Sequence, residues 1–273
     1  VTEMKDQGLQ TREVGGITLD LIELGEGRPL LFLHGGEGPD VPTRAHLEVL
    51  AKHYRVIAPW HPGFGSRARA ETVREVADLA YLYLDLAEQL GIQDGILVGA
   101  SFGGWIAAEM MVRDRSAFSH LVLSGPVGIK VRDREARDIE DFFALTDEEF
   151  RDLAYADPTK GYRDLTALDD EKLTGHFRSL ETYAFYSWKP YMHNPHLKRW
   201  LHRIRRPALI VSGRQDRFVF DGYYAAFAEA LAGSSRATIE NAGHFPHVEQ
   251  PLEFADLVVA HTGPTQAVNE RVA

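Results

Sequence analysis

Gly95-Ile96-Leu97-Val98-Gly99-Ala100-Ser101-Phe102-Gly103-Gly104 is the stretch on which the reading of this chain turns. It starts as a short apolar run, the pattern of a strand buried on both faces. It then passes through Gly-x-Ser-x-Gly into a helical pattern over 102–112. A serine at such a strand–helix junction sits on a sharp turn that pushes its hydroxyl out of the sheet. Small residues are needed at 99 and 103, because side chains there would collide across the turn. The next helix aims its N-terminal N–H groups at the same spot.

Outward from this stretch, strands and helices alternate. A hairpin is expected from 10–14 and 17–24 about Gly15-Gly16, which supplies positive φ. Apolar runs predict strands at 29–33, 54–58, 120–123, 207–211 and 236–239. Helical spacing marks 45–53, 71–90, 222–231 and 252–261. The rhythm breaks between 126 and 206, where charge, aromatics and helical patterns dominate. The expected architecture is α/β: a mostly parallel sheet with helices on both faces. Residues 1–125 and 207–273 would form the core, with 126–206 a helical cap inserted after the sixth strand, above the strand C-termini where ligands bind. The tail from 263 reads as frayed.

Composition removes whole classes of function. None of the 273 residues is cysteine, which excludes a thiolate nucleophile, a redox pair and Cys-held zinc or iron–sulfur. There are 40 acidic and 30 basic residues, a net charge of −10, against a nucleic-acid partner. Most of the excess acid falls in 131–171, so it reads as the solvated face of the cap. Acids at Glu3 and Asp6 do not suit a signal peptide, and no apolar run is long enough to span a membrane. A cytoplasmic protein is expected.

A serine needs a base to become a nucleophile. Two further loops follow strands downstream: Ser212-Gly213-Arg214-Gln215-Asp216 and Asn241-Ala242-Gly243-His244-Phe245. Serine, acid and histidine thus occur in chain order, each just past a strand. Asp221 is a rival acid; Ser124-Gly125-Pro126-Val127 offers none after the preceding strand. His34 reads as a structural donor for its glycine loop, and His247 as a polar residue at a helix start. His193, His196 and His202 lack acid partners at ligand spacing, so no metal is expected. The basic run 198–206 reads as a solvated helix.

The chain resembles the α/β-hydrolase superfamily, in its lidded esterase, C–C hydrolase and haloperoxidase-like branch. The resemblance rests on His34-Gly35-Gly36, Gly63-Phe64-Gly65, Gly99-x-Ser101-x-Gly103-Gly104, Gly213-x-x-Asp216 and Gly243-His244-Phe245. It covers about 20–125 and 207–261 and is weak in the insertion. It implies the α/β-hydrolase fold, with Ser101 as nucleophile, His244 as base then acid, and Asp216 orienting the imidazole. It also implies an oxyanion hole from the N–H groups of Gly36 and Phe102, and no cofactor. Two positions depart from the pattern. Trp60 stands where the family often has Asp, so the 59–66 loop would be held differently. Phe245 follows the histidine where C–C hydrolases usually have Trp, which tilts the reading towards esters.

Aromatic residues of the cap would bury an apolar or aromatic part of a small-molecule substrate. Tyr183, Tyr186 and Trp188 are the candidate pocket residues there, with Gly35 and Phe245 from the core. The leading expectation is hydrolysis of a small or medium carboxylic ester through an acyl-enzyme. C–C hydrolysis of a meta-cleavage-type dienoate is the alternative, alongside cofactor-free lyase or perhydrolase chemistry. A hydrolase-fold ligand receptor is the reading from a different class.

Overall fold

The computed structural model describes residues 8–39 and 41–263. The acidic N-terminal residues and the tail from 264 lie outside the described residues. One eight-stranded sheet organises the rest. β1 (Leu9–Val14) and β2 (Ile17–Leu24) form the antiparallel hairpin, and Gly15 and Gly16 turn between them with φ of 57° and 78°. β3 (Pro29–Leu33), α1 (Ala45–Leu50), β4 (Arg55–Pro59), α2 (Val76–Gln89), β5 (Gly95–Ala100), α3 (Phe102–Arg113) and β6 (Phe118–Ser124) follow. α4 (Asp147–Ala154), α5 (Asp170–Ser187) and α6 (Leu197–Trp200) lie between β6 and the next strand, β7 (Ala208–Gly213). The chain continues through α7 (Tyr223–Ala230), β8 (Ser235–Ile239), α8 (Pro246–Glu249) and α9 (Pro251–Thr262).

The strand order is β1-β2-β4-β3-β5-β6-β7-β8. β2 pairs antiparallel with β4; from β4 to β8 every pairing is parallel. All parallel strands therefore point their C-terminal ends to one rim. Side-chain alternation builds two cores. Leu31, Leu33, Leu97, Leu121 and Leu123 face α2 and α3, while Leu30, Phe32, Ile96, Val98 and Val122 face α1 and α9. Each such leucine contributes about 1.5–3 kcal/mol on burial. Burial on both faces is why these strands read as unbroken apolar runs.

One boundary differs clearly from expectation. The helix expected from residue 71 begins at Val76, because Glu75 is extended (φ −142°) and forms a reciprocal capping box with Asp78. Val73 is buried all the same, from the loop before the helix. Among the described residues no helix is long and apolar enough to cross a membrane.

Candidate active site

Ser101 stands between β5 and α3 with φ 49° and ψ −112°, a strained conformation for a residue with a side chain. The turn is locked from both sides. Ser101 N–H donates to the Ser124 carbonyl at 2.8 Å, and its own carbonyl accepts from Gly104 at 2.9 Å and Val127 at 3.2 Å. The glycines are needed by contact: a Cβ on Gly99 would lie 2.4 Å from the Gly103 carbonyl oxygen, and one on Gly103 2.0 Å from that of Leu33.

His244 and Asp216 come to this hydroxyl from the loops after β8 and β7. His244 Nε2 is 2.9 Å from Ser101 Oγ, and His244 Nδ1 is 2.9 Å from Asp216 Oδ2. A carboxylate only accepts, so Nδ1 carries the imidazole proton and Nε2 is free to take that of the serine. All three side chains are buried. Asp216 is held in turn: its Oδ1 accepts from the Phe218 N–H at 2.9 Å, and its Oδ2 from the Tyr224 hydroxyl at 2.5 Å. Burial, then the neighbouring carboxylate, raises the Tyr224 pKa well above the ordinary tyrosine value, which keeps it a donor. Asp221, the rival acid, is exposed on the surface.

The glycine loop after β3 supplies the opposite wall. His34 fastens it, with Nδ1 2.7 Å from the Gly35 carbonyl and Nε2 accepting the His61 N–H at 3.0 Å. His61 stacks on His34 and bonds the Tyr83 hydroxyl at 2.5 Å, so imidazoles hold the 59–66 loop in place of an acid. Burial depresses the pKa of both rings, His61 to about 3. Among the described residues, the N–H groups of Gly36 and Phe102 have no hydrogen-bond partner.

Between this loop and the 126–206 segment lies a cavity of about 480 Å³. Gly36, Ser101, His244 and Phe245 face it from the core; Phe142, Phe150 and Tyr183 are among the residues that wall it from above. Tyr183 packs directly on Gly36, where a Cβ would meet its ring at 2.6 Å. Two of the candidate aromatics are elsewhere, and the expectation for them is corrected. Tyr186 turns to the Pro62 carbonyl at 3.2 Å, and Trp188 is 55% exposed beside Phe143. Residues 183 and 186 lie on α5 and Trp188 caps its end, so the three point in different directions, since a turn takes 3.6 residues. Gly35 underlies the loop and does not face the cavity itself.

Two polar wall residues escaped the sequence reading. Arg163 faces the cavity and, among the described residues, has no hydrogen bond or ion pair. Glu37 faces it from the glycine loop. A third residue acts from outside: the buried carboxylate of Glu249 accepts the N–H groups of Gly243 at 2.6 Å, Ala156 at 3.0 Å and Asp157 at 3.0 Å. It thereby ties the histidine loop to the end of α4. The His244 N–H completes the tie to the Ala154 carbonyl at 2.6 Å.

The chain is similar to several known proteins. A 2-hydroxymuconate semialdehyde hydrolase from Pseudomonas sp. strain CF600 is 29% identical, over 89% of each chain. A 2-hydroxy-6-oxo-2,4-heptadienoate hydrolase from Pseudomonas putida F1 is 26% identical, over 89% of this chain and 92% of that one. Among solved structures, a mutant of the meta-cleavage product hydrolase CumD from Pseudomonas fluorescens IP01 superposes with a TM-score of 0.74. It is 22% identical, and the match covers 92% of this chain and 96% of that one. A thermophilic esterase from Thermogutta terrifontis gives 0.71 at 20% identity, over 92% and 97%. The two structures share the fold; the names of the sequence relatives match the alternative of the two reaction classes, the dienoates, better than the esters. The family model for alpha/beta hydrolases matches residues 30–257, and the chain belongs to that family.

Proposed function

We propose that this protein hydrolyses a carbon–carbon bond in a small 2-hydroxy-6-oxo-dienoate, with Ser101 as nucleophile. The observation that carries the reading is an unpaired guanidinium, Arg163, in a cavity that is otherwise largely apolar and opens onto Ser101 and His244. Arg163 is partly buried, and a guanidinium without an acid partner on a mostly apolar wall attracts an anionic group that enters the cavity. A dienoate suits it: a carboxylate at one end, a flat hydrocarbon middle, a ketone at the other.

The chemistry follows from the geometry. Ser101 Oγ gives its proton to His244 Nε2 and attacks the 6-oxo carbon. The N–H groups of Gly36 and Phe102 take up the developing oxyanion. When the tetrahedral adduct collapses, the C5–C6 bond breaks. Its electron pair passes into the conjugated 2-oxo acid in the keto tautomer, and the released dienolate takes a proton from the imidazolium. Water, deprotonated by His244, then cleaves the acyl-serine. Asp216 stabilises the imidazolium and fixes its tautomer.

Esters remain the second reading, favoured by Phe245. The deciding experiment compares 2-hydroxy-6-oxo-2,4-heptadienoate with aryl acetates on the purified protein. Dienoate kcat/KM is expected to exceed the ester value at least tenfold, and Ser101→Ala to lower it by about 10³-fold or more. Dominant ester turnover would replace the first reading by the second. Full activity of Ser101→Ala would remove both.

A further inference from the structure

Glu37 is an acid placed where the mechanism above has no use for one. It follows Gly36 in the chain, and both residues face the cavity that holds Ser101. Its side chain folds back over its own loop. A Cβ on Gly35 would lie 2.9 and 3.0 Å from the two carboxyl oxygens of Glu37. Glycine at 35 therefore leaves the space that the carboxyl occupies. Among the described residues no side chain bonds to it; the group's only hydrogen-bond donor is its own backbone N–H.

Among the described residues, none brings a counter-charge into contact with it. Tyr183 from α5 and Tyr155 at the end of α4 flank the carboxyl, both kept neutral by burial, and Glu249 lies beyond Tyr155. Ser101 and His244 face the same cavity from below. Across it stand His176, Arg163 and the Arg151–Asp147 pair, whose charges meet at 2.9 Å. Glu37 is partly buried, and loss of water around its carboxyl pushes the pKa up to about 8. At neutral pH it carries a proton, and a protonated carboxyl is a donor as well as an acceptor. Glu37 lines the cavity, so a bound molecule can reach it.

We propose that Glu37 determines specificity: its carboxyl O–H donates a hydrogen bond to an anionic oxygen of the bound substrate. This rests on Ser101 and His244 being the reacting site, as proposed above. The donor would act together with Arg163, which supplies charge while Glu37 supplies direction. Hydrogen bonds to ionised acceptors are the strong ones. Discrimination against substrates lacking the acceptor follows, because the buried donor would then be left unpaired.

The test uses Glu37→Gln, which keeps a donor and cannot ionise, and Glu37→Leu, which does neither. The substrates are 4-carboxyphenyl acetate and phenyl acetate, alike in acyl group and different in one anionic oxygen, together with the heptadienoate. Within each variant, the ratio of kcat/KM between the two esters is independent of the fraction of protein folded. Glu37→Leu is expected to lower that ratio at least tenfold, and Glu37→Gln to hold it within about threefold. In the wild type the ratio should fall above pH 8, as the donor is lost and a negative charge appears; in Glu37→Gln it should stay flat from pH 6.5 to 9.5. An unchanged ratio in Glu37→Leu, or the same alkaline fall in Glu37→Gln, overturns the proposal. Absence of heptadienoate turnover in the wild type would instead overturn the C–C reading, and the ester pair would still judge Glu37.

Discussion

Tyr224 binds the acid of the site through one hydroxyl, and its contribution is measurable. Its bond to Asp216 is short, and its oxygen also lies 3.2 Å from His244 Nδ1. Tyr224→Phe keeps the ring and deletes the donor. A hydrogen bond to a charged group is worth about 1.5–3 kcal/mol, so kcat is expected to fall about tenfold or more, with KM within twofold. Steady-state kinetics on one good substrate decide it; a change confined to KM would show that Tyr224 does not position the Asp216–His244 pair. The signal for Ser101, Asp216 and His244 was local, since each follows a strand within a few residues. Tyr224 carried no such mark, because a tyrosine in the first turn of α7 looks like any core aromatic. Glu37 was hidden for a different reason: the sequence shows an acid in a glycine loop, and only the fold brings it to the cavity wall.

At the scale of elements, the strands were legible and the cavity walls were not. Strand runs declare themselves because both faces are buried, as in β3 and β5. The walls depend on which side of a helix meets the core, so Tyr183 enters the cavity while Tyr186, three residues on, does not. The link between α8 and the end of α4 is likewise tertiary. Glu249 draws three N–H groups from two separate segments into one carboxylate. Glu249→Gln retains one accepting oxygen and must release at least one of them. We expect a loss of about 1.5–3 kcal/mol in urea unfolding and a drop in kcat of about tenfold from a loosened His244. Unchanged stability with unchanged kcat would mean that Glu249 holds nothing the site needs.

Across the whole molecule, buried imidazoles set the response to acid. His34, His46, His61 and His247 are all buried, and burial depresses each pKa, those of His46 and His61 to about 3. The unfolded chain binds protons near pH 6.5 that the folded chain refuses until far lower pH. Stability is therefore full above about pH 6.5 and declines as pH falls from there towards 3, by up to about 1.4 kcal/mol per pH unit for each such histidine. His46 is the cleanest case, because neither ring nitrogen has a partner among the described residues. His46→Phe should remove its share, giving a shallower loss of urea stability between pH 7 and 5. A slope equal to wild type would show that His46 does not contribute.

The division of labour around the cavity has an evolutionary reading. Ser101, Asp216 and His244 belong to strand ends, and most of the wall belongs to one continuous stretch of chain between β6 and β7. On the function proposed above, how a bond is broken and which molecule is admitted are written largely in separate passages of the gene. The two passages touch at one seam, where the end of α4 holds the His244 loop. Glu37 is the exception: it is written beside Gly36 in the first passage, yet it lines the cavity that the second passage walls.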